Sequence, residues 1–385
     1  MSSAWAYRAS HASQLKARGR KVEGLWPIDG RPFERVGLWR AIDNGGPGRH
    51  CLRLRRARLC PDPVEVTRWV KGLPGPAAVI YEAGPTGYGL ARVLGSEQIR
   101  TVVAAPSKLQ RPAGDRVKTD AHDAEHLATL LRLDAFTAVT VPDEATEAAR
   151  DLVRAREDCR ADLMRARHRL SKLLLRHGIV YSGGKAWTGT HQAWLRRQRF
   201  DSVLTQAAFD EAYDTVASIT ARRDRLEQRI NVLAGDSQYT TVVRRLGCLR
   251  GISTLTGLGL AVEIGDWTRF SGNSIGAYVG LIPSESSSGQ SRSQGPITKT
   301  GNSHVRRLLV EAAWHHRVRY VPGKTMQDRW DLASPAARAR GDLGNRRLHQ
   351  RWEQFQARKK RPTVANTAIA RELAGWCWSL AVLDP

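Results

Sequence analysis

The residues best suited to chemistry in this chain are acids. The stretch KTDAHDAEHLATLLRL, Lys118 to Leu133, sets Asp120 and Asp123 three residues apart. Helical spacing puts both carboxylates on one side of a helix, where like charges repel unless a cation or water separates them. Thr119 or Asp120 can cap that helix, and Leu127, Leu130, Leu131 and Leu133 supply an apolar stripe. A third acid, Glu82, closes an apolar run in VIYEAGPTGYG. A carboxylate at the end of a buried strand is costly unless it is paired, hydrogen-bonded or bound to metal. Each acid alone has a plain account: two solvated acids at a helix start, and a strand-end acid facing solvent or pairing with Arg92. Together they are hard oxygen ligands of the kind Mg²⁺ takes. Two such ions ~4 Å apart would serve an in-line phosphoryl displacement.

The second chemical stretch is PSESSSGQSR. It places Ser284, Ser286, Ser287 and Ser288 before Gly289, with Arg292 and Lys299 following. Composition alone reads it as a flexible polar loop. Functionally, a serine hydroxyl there could attack a DNA phosphate while nearby cations stabilise the charge that develops. No His-Asp relay with characteristic spacing accompanies it, so hydrolase triad chemistry is not indicated. Arg111, Arg116 and Lys118 beside the acids, and Arg292, Lys299, Arg306 and Arg307 beside the serines, are candidate phosphate contacts. His304, His315 and His316 read as packing or solvent residues, and Trp187, Trp194, Trp314, Trp376 and Trp378 as core.

The elements that must position these groups are legible in outline. The chain has 385 residues, 41% hydrophobic, with a formal net charge of +24, for which a polyanionic partner is the simplest physical reason. No apolar run is long enough to span a bilayer, and no signal-peptide core opens the chain. Five scattered cysteines form no CxxC pair, so neither a zinc site nor a disulfide framework is indicated. The expected setting is a reducing bacterial cytoplasm, on or near the nucleoid.

Residues 63 to 133 alternate helical and strand patterns, as in an α/β unit with a partly parallel sheet. Two long charged helices, from Thr146 to about Leu175 and over about 205–234, suggest an antiparallel hairpin or an oligomerising coil. Gly247, Gly251, Gly257 and Gly259 punctuate short apolar helices, as in a helix-hairpin-helix element or a closely packed turn. A clean helix begins near Ser303, and two more fill the tail.

The segments YEAGPTGYGL, VVAAPSKLQRPAGDRVKTDAHDAEHLATLL and SSSGQSRSQGPITKTGNSHVRRLLVEAAW resemble the transposases of insertion sequence family 110, the Piv-like DEDD recombinases. The resemblance runs from about Arg56 to the C-terminus. It implies an α/β RuvC-like (RNase H fold) domain, an α-helical coiled-coil spacer and a mainly α C-terminal transposase domain. The expected boundaries are a poorly ordered arm over 1–35, then 36–145, 146–238 and 239–385. Glu82, Asp120 and Asp123 match the family's last three carboxylates, with Mg²⁺ as cofactor. The family's serine falls at Ser287, with Ser288 as the close alternative. Implied partners are DNA, a structured guide RNA and further copies of the chain, as a dimer or tetramer. One departure stands out. Val36-Gly37-Leu38 is followed by Trp39 where the family has its first aspartate. Asp43 is the nearest substitute, and impaired metal binding is expected. The rival readings are a Holliday-junction-type nuclease using the carboxylates alone, and an inactive nucleic-acid-binding remnant.

Overall fold

The computed structural model describes residues 57–73, 77–109, 120–288 and 291–384, with 58 and 61 excepted. Helices dominate, strands are few, and the chain divides into two compact units at Pro142/Asp143.

In the first unit, α1 (Pro63–Lys71) starts where Asp62 accepts the Val64 N–H at 3.0 Å, with Pro63 in the first turn. The apolar run that follows becomes β1 (Ala78–Glu82); α2 (Gly89–Ser96) then leads into β2 (Arg100–Ala104). The two strands pair in parallel, with Ala78 opposite Arg100 and Glu82 opposite Ala104. Leu59, Val66, Val70, Val79 and Leu94 form the core beneath them. Helix α3 (Asp120–Arg132) packs against β1 and buries Ala128 and Leu130. Leu133, expected in its apolar stripe, is instead 62% exposed. The helix stops at Arg132 and Asp134 turns into the left-handed region, so Leu133 falls out of phase.

The second unit opens on α4 (Glu144–Arg176), capped by Asp143 through the Thr146 N–H at 2.6 Å. A short α5 (Gly189–Leu195) intervenes before α6 (Val203–Gly235). The contacts Arg156–Glu227 and Cys159–Ile219 descend along α6 as they climb α4, and Thr146 near the start of α4 meets Tyr239 just beyond the end of α6, so the two helices are antiparallel. Trp187 and Trp194 pack at the far end with Leu170, Leu174 and Phe209. Next come α7 (Thr240–Leu246), α8 (Thr254–Ile264) and α9 (Ser274–Tyr278). The glycine-rich turn between α7 and α8 serves close packing: a Cβ on Gly251 would stand 2.5 Å from the Ala312 carbonyl oxygen.

The serine stretch is not the loop its composition suggested. It forms an antiparallel ribbon, β3 (Pro283–Ser288) with β4 (Ser291–Ile297), followed by α10 (Ser303–Ala313). The tail contains α11 (Lys324–Trp330), α12 (Pro335–Ala357) and α13 (Pro362–Ala381), one helix more than expected. Ile369, Leu373 and Cys377 of α13 meet Val305 and Leu309 of α10 and Leu260 and Ile264 of α8 in the main core. Each fully buried aliphatic side chain there contributes roughly 1.5–3 kcal/mol. Among the described residues, no helix is long and apolar enough to cross a membrane.

Candidate active site

The acids come from two elements that touch. Glu82 is the last residue of β1, and Asp123 lies one turn into the helix that Asp120 opens. Both Glu82 and Asp123 are half-buried, and α3 packs on β1. Glu82 and Ala104 end the two parallel strands together, and ligands of open α/β sheets gather at that carboxyl edge. The turn after Glu82 is pinned by the Tyr81 hydroxyl, which donates to the Gly87 carbonyl at 3.2 Å. Asp43, Arg111, Arg116 and Lys118 lie outside the described residues. Among the described residues, no three His, Cys, Asp or Glu side chains are grouped closely enough to hold a metal ion.

The serines stand on the ribbon. Ser287 is opposite Arg292 and Ser288 opposite Ser291. Strand alternation puts Glu285 and Ser287 on one face, Ser286 and Ser288 on the other. The exposed Ser287 Oγ donates to Glu285 Oε1 at 2.9 Å. The base of the ribbon is tightly built. Gly280 and Gly301 have φ of +67° and +68°, and a Cβ on Gly301 would come within 1.9 Å of the Tyr278 carbonyl oxygen. Only glycine meets both demands without strain. Arg306 donates across this base to the carbonyls of Val279 at 2.9 Å and Thr300 at 2.8 Å. Arg307 pairs with Glu157 and, at 2.7 Å, with Glu311. Lys299 is exposed beside the ribbon.

Sequence reasoning missed a buried polar hub behind the ribbon. Glu263, near the end of α8, has a side chain only 1% exposed. Both its oxygens accept from Arg154 of α4 at 2.8 Å, Asn302 Nδ2 donates at 2.7 Å, and His304 Nδ1 lies at 3.2 Å. Asn302 also caps α10, its Oδ1 accepting from the His304 and Val305 N–H groups. Burial alone would raise the Glu263 carboxyl; the hydrogen bonds from Arg154, His304 and Asn302 outweigh it and hold the group far below the usual carboxylate range. One anion thus ties α4, α8 and the start of α10 together, next to the ribbon base. The sequence signal was a lone Glu in the apolar run LTGLGLAVEI. A charge is rarely buried there without a partner.

Comparison with known proteins is decisive for the family. Residues 243–330 match the transposase IS116/IS110/IS902 family, and residues 65–179 match a DEDD-type transposase family of the IS110 kind. The transposase of insertion sequence element IS1533 from Leptospira borgpetersenii is 30% identical over 318 residues, 80% of this chain and 91% of that protein. The chain belongs to the IS110 family of transposases. A candidate transposase of Sinorhizobium fredii, y4qE, is 41% identical over 302 residues, 78% of this chain and 74% of that protein. The transposase of element IS1328 from Yersinia enterocolitica is 25% identical over 335 residues, 86% and 90% of the two chains. Membership in the IS110 family makes this chain a DNA-recombining enzyme of insertion sequences. Glu82, Asp120 and Asp123 fall inside the DEDD match, as does Arg154 of the hub, while Ser287, Ser288, Glu263, Asn302 and His304 fall inside the other.

Proposed function

We propose that this IS110-family transposase cuts and rejoins DNA at element ends with carboxylates that hold Mg²⁺ and a serine that attacks the phosphate. The observation that carries the reading is the packing of the helix opened by Asp120 against the strand that ends in Glu82. That arrangement suits an RuvC-like domain. Its donors are all hard carboxylate oxygens, the chemistry Mg²⁺ requires, so the residues fit the ion. Glu82, Asp120 and Asp123 would hold it, and when bound Mg²⁺ offsets charge on the scissile phosphate. Asp43 is the nearest substitute for the missing first ligand, so the affinity for Mg²⁺ is lowered relative to family members with a complete set.

Ser287 is the nucleophile and Ser288 the alternative. As its Oγ bonds to phosphorus, the proton passes to Glu285, already its hydrogen-bond acceptor at 2.9 Å. The bond from phosphorus to one strand breaks, and that strand leaves as a free hydroxyl, its oxygen taking a proton from solvent water. Attack by another strand's hydroxyl on the serine ester reverses the step and rejoins DNA. The antiparallel α4–α6 pair serves as the coiled-coil spacer. A structured guide RNA and an oligomer, tetramer before dimer, complete the working assembly.

The test is a strand-exchange assay with Mg²⁺ on Ser287→Ala, Ser288→Ala and Asp123→Asn. The reading expects a covalent protein–DNA product that vanishes with Ser287→Ala and falls with Asp123→Asn. A Ser287→Ala protein that still cuts, with no covalent product in any variant, makes the enzyme a junction-type nuclease. Calorimetric titration with Mg²⁺ checks the weakened affinity: binding as tight as in a relative with a complete acid set refutes it.

A further inference from the structure

The strongest unassigned feature of the second unit is a cleft of about 1020 Å³ between β4 and the α12–α13 pair. One wall is Gln294 to Ile297 of β4; the other carries Arg340, Arg351 and Arg371 with Glu372, Trp376 and Trp378. Arg340, Arg347 and Arg351 of α12 and Arg358 at its C-cap follow each other at seven, four and seven residues. At 3.6 residues per turn these four lie in one row, ~27 Å long at ~1.5 Å per residue. The row faces little negative charge. Glu372 accepts from Arg347 at 3.1 Å and lies 3.7 Å from Arg351, while Arg371 has no carboxylate partner among the described residues. Arg340 lies 4.7 Å over the Trp376 ring and donates to Ser379 Oγ at 2.9 Å, which fixes its guanidinium at the cleft wall.

A row of fixed cations suits a phosphodiester chain, and half-buried indoles beside it suit exposed base faces. A duplex stacks its bases on one another and presents no such faces. The cleft is also bounded by the ribbon that carries Ser287. Gln294 pairs with Glu285 on the ribbon, two residues along β4 from the Ser287–Arg292 pair, a step of ~7 Å.

We propose that this cleft binds an unpaired nucleic-acid strand, Arg340, Arg351 and Arg371 on its phosphates and a base against Trp376 or Trp378, and so delivers the adjoining phosphate to the ribbon. The proposal rests on the serine reading for the last step, but not for binding itself. The full chain carrying Ser287→Ala, in EDTA, is titrated by fluorescence anisotropy with labelled probes. These are single-stranded DNA of about 12 nucleotides, the same sequence as RNA, and the DNA duplex. Adding Arg340→Gln and Arg371→Gln together lowers single-strand affinity by about tenfold or more and duplex affinity by less than about twofold. The probe that loses affinity, DNA or RNA, names the natural strand. Equal loss on the duplex, or no loss on either single strand, overturns the proposal. A second measurement needs no variant: bromouracil-substituted single strands, irradiated on the otherwise unmodified Ser287→Ala chain, cross-link to the peptide holding Trp376 and Trp378. Cross-links confined to other peptides overturn it as well. Failure here with covalent serine–DNA product intact sinks the cleft alone. Cleft binding without that product sinks the serine reading alone.

Discussion

The second unit holds two polar clusters close in sequence and opposite in character. Around Glu263 every acceptor position is used by Arg154, Asn302 and His304, and water is excluded. On the ribbon, Glu285 and Ser287 share one hydrogen bond in full solvent. A carboxylate saturated with donors has no lone pair left for a substrate; it fixes geometry. An exposed hydroxyl with one acceptor is held loosely and remains open to a phosphate. The difference separates support from reaction, and it is measurable.

The largest effect belongs to the reactive cluster. On the proposed serine mechanism, Ser287→Ala is expected to reduce strand joining on the order of 10³-fold or more, because it removes the attacking oxygen. Its melting temperature should match that of the unaltered chain, because the hydroxyl is exposed. Melting at a markedly lower temperature would mean that the serine is structural and would erase the contrast.

The hub predicts the reverse pattern. Arg154→Ala leaves a buried carboxylate with only Asn302 and His304, at a cost of about 3 kcal/mol. Arg154 is itself half-exposed, so Glu263→Gln costs less, roughly 1–3 kcal/mol for the rearranged hydrogen bonds. Urea denaturation of the two variants checks the order. Equal and small losses would show that the anion is not shielded from water.

His316 gives the second unit a distinct acid response. Burial, followed by the nearby Arg250 guanidinium, pushes its imidazole down to about 3. The unfolded chain therefore binds one more proton than the folded one between its ordinary value near 6.5 and about 3. Stability is full above that upper value and falls as pH drops, by up to ~1.4 kcal/mol per pH unit. Glu263 acts only lower: its folded value is depressed, so its contribution is present above the ordinary carboxylate range and lost below it. Denaturation midpoints from pH 6.5 to 4.5 read this response, to which His191, also held below its ordinary value by burial, adds with the same sign. His316→Phe should lower the slope over that stretch. A slope unchanged in the variant would assign the response elsewhere.

These clusters also mark what the sequence could reveal. Periodicity exposed the strand ending at Glu82, the helix opening at Asp120 and the two long helices of the antiparallel pair, because each buries a regular apolar face. The ribbon escaped because Ser284 to Ser288 are all exposed and give no apolar alternation. The Ser288-Gly289 step before a second polar run was the available hairpin signal. The hub escaped for another reason. Glu263 in an apolar helix announced a buried partner, but Arg154 lies 109 residues away and is one of many arginines on a charged helix. Chain topology, not local pattern, selects it.

The smallest effect is the sharpest control on the comparison. Ser284, on the ribbon face away from Ser287, donates from Oγ to the Pro296 carbonyl at 3.0 Å, and the bond is exposed. Asn302 makes a bond of the same order, 2.7 Å, to a carboxylate sealed from water. Deleting a solvated bond returns both partners to water, so Ser284→Ala should change folding stability by less than about 0.5 kcal/mol. Asn302→Ala strips a donor from a buried anion and a cap from α10 at once, for about 2 kcal/mol or more. Both are single hydrogen-bonding side chains within twenty residues of each other, so their urea midpoints isolate burial as the variable. Similar losses for both would mean that the ribbon is as rigidly held as the hub, and Ser287 would then have to be oriented for attack by the fold itself rather than by the arriving strand.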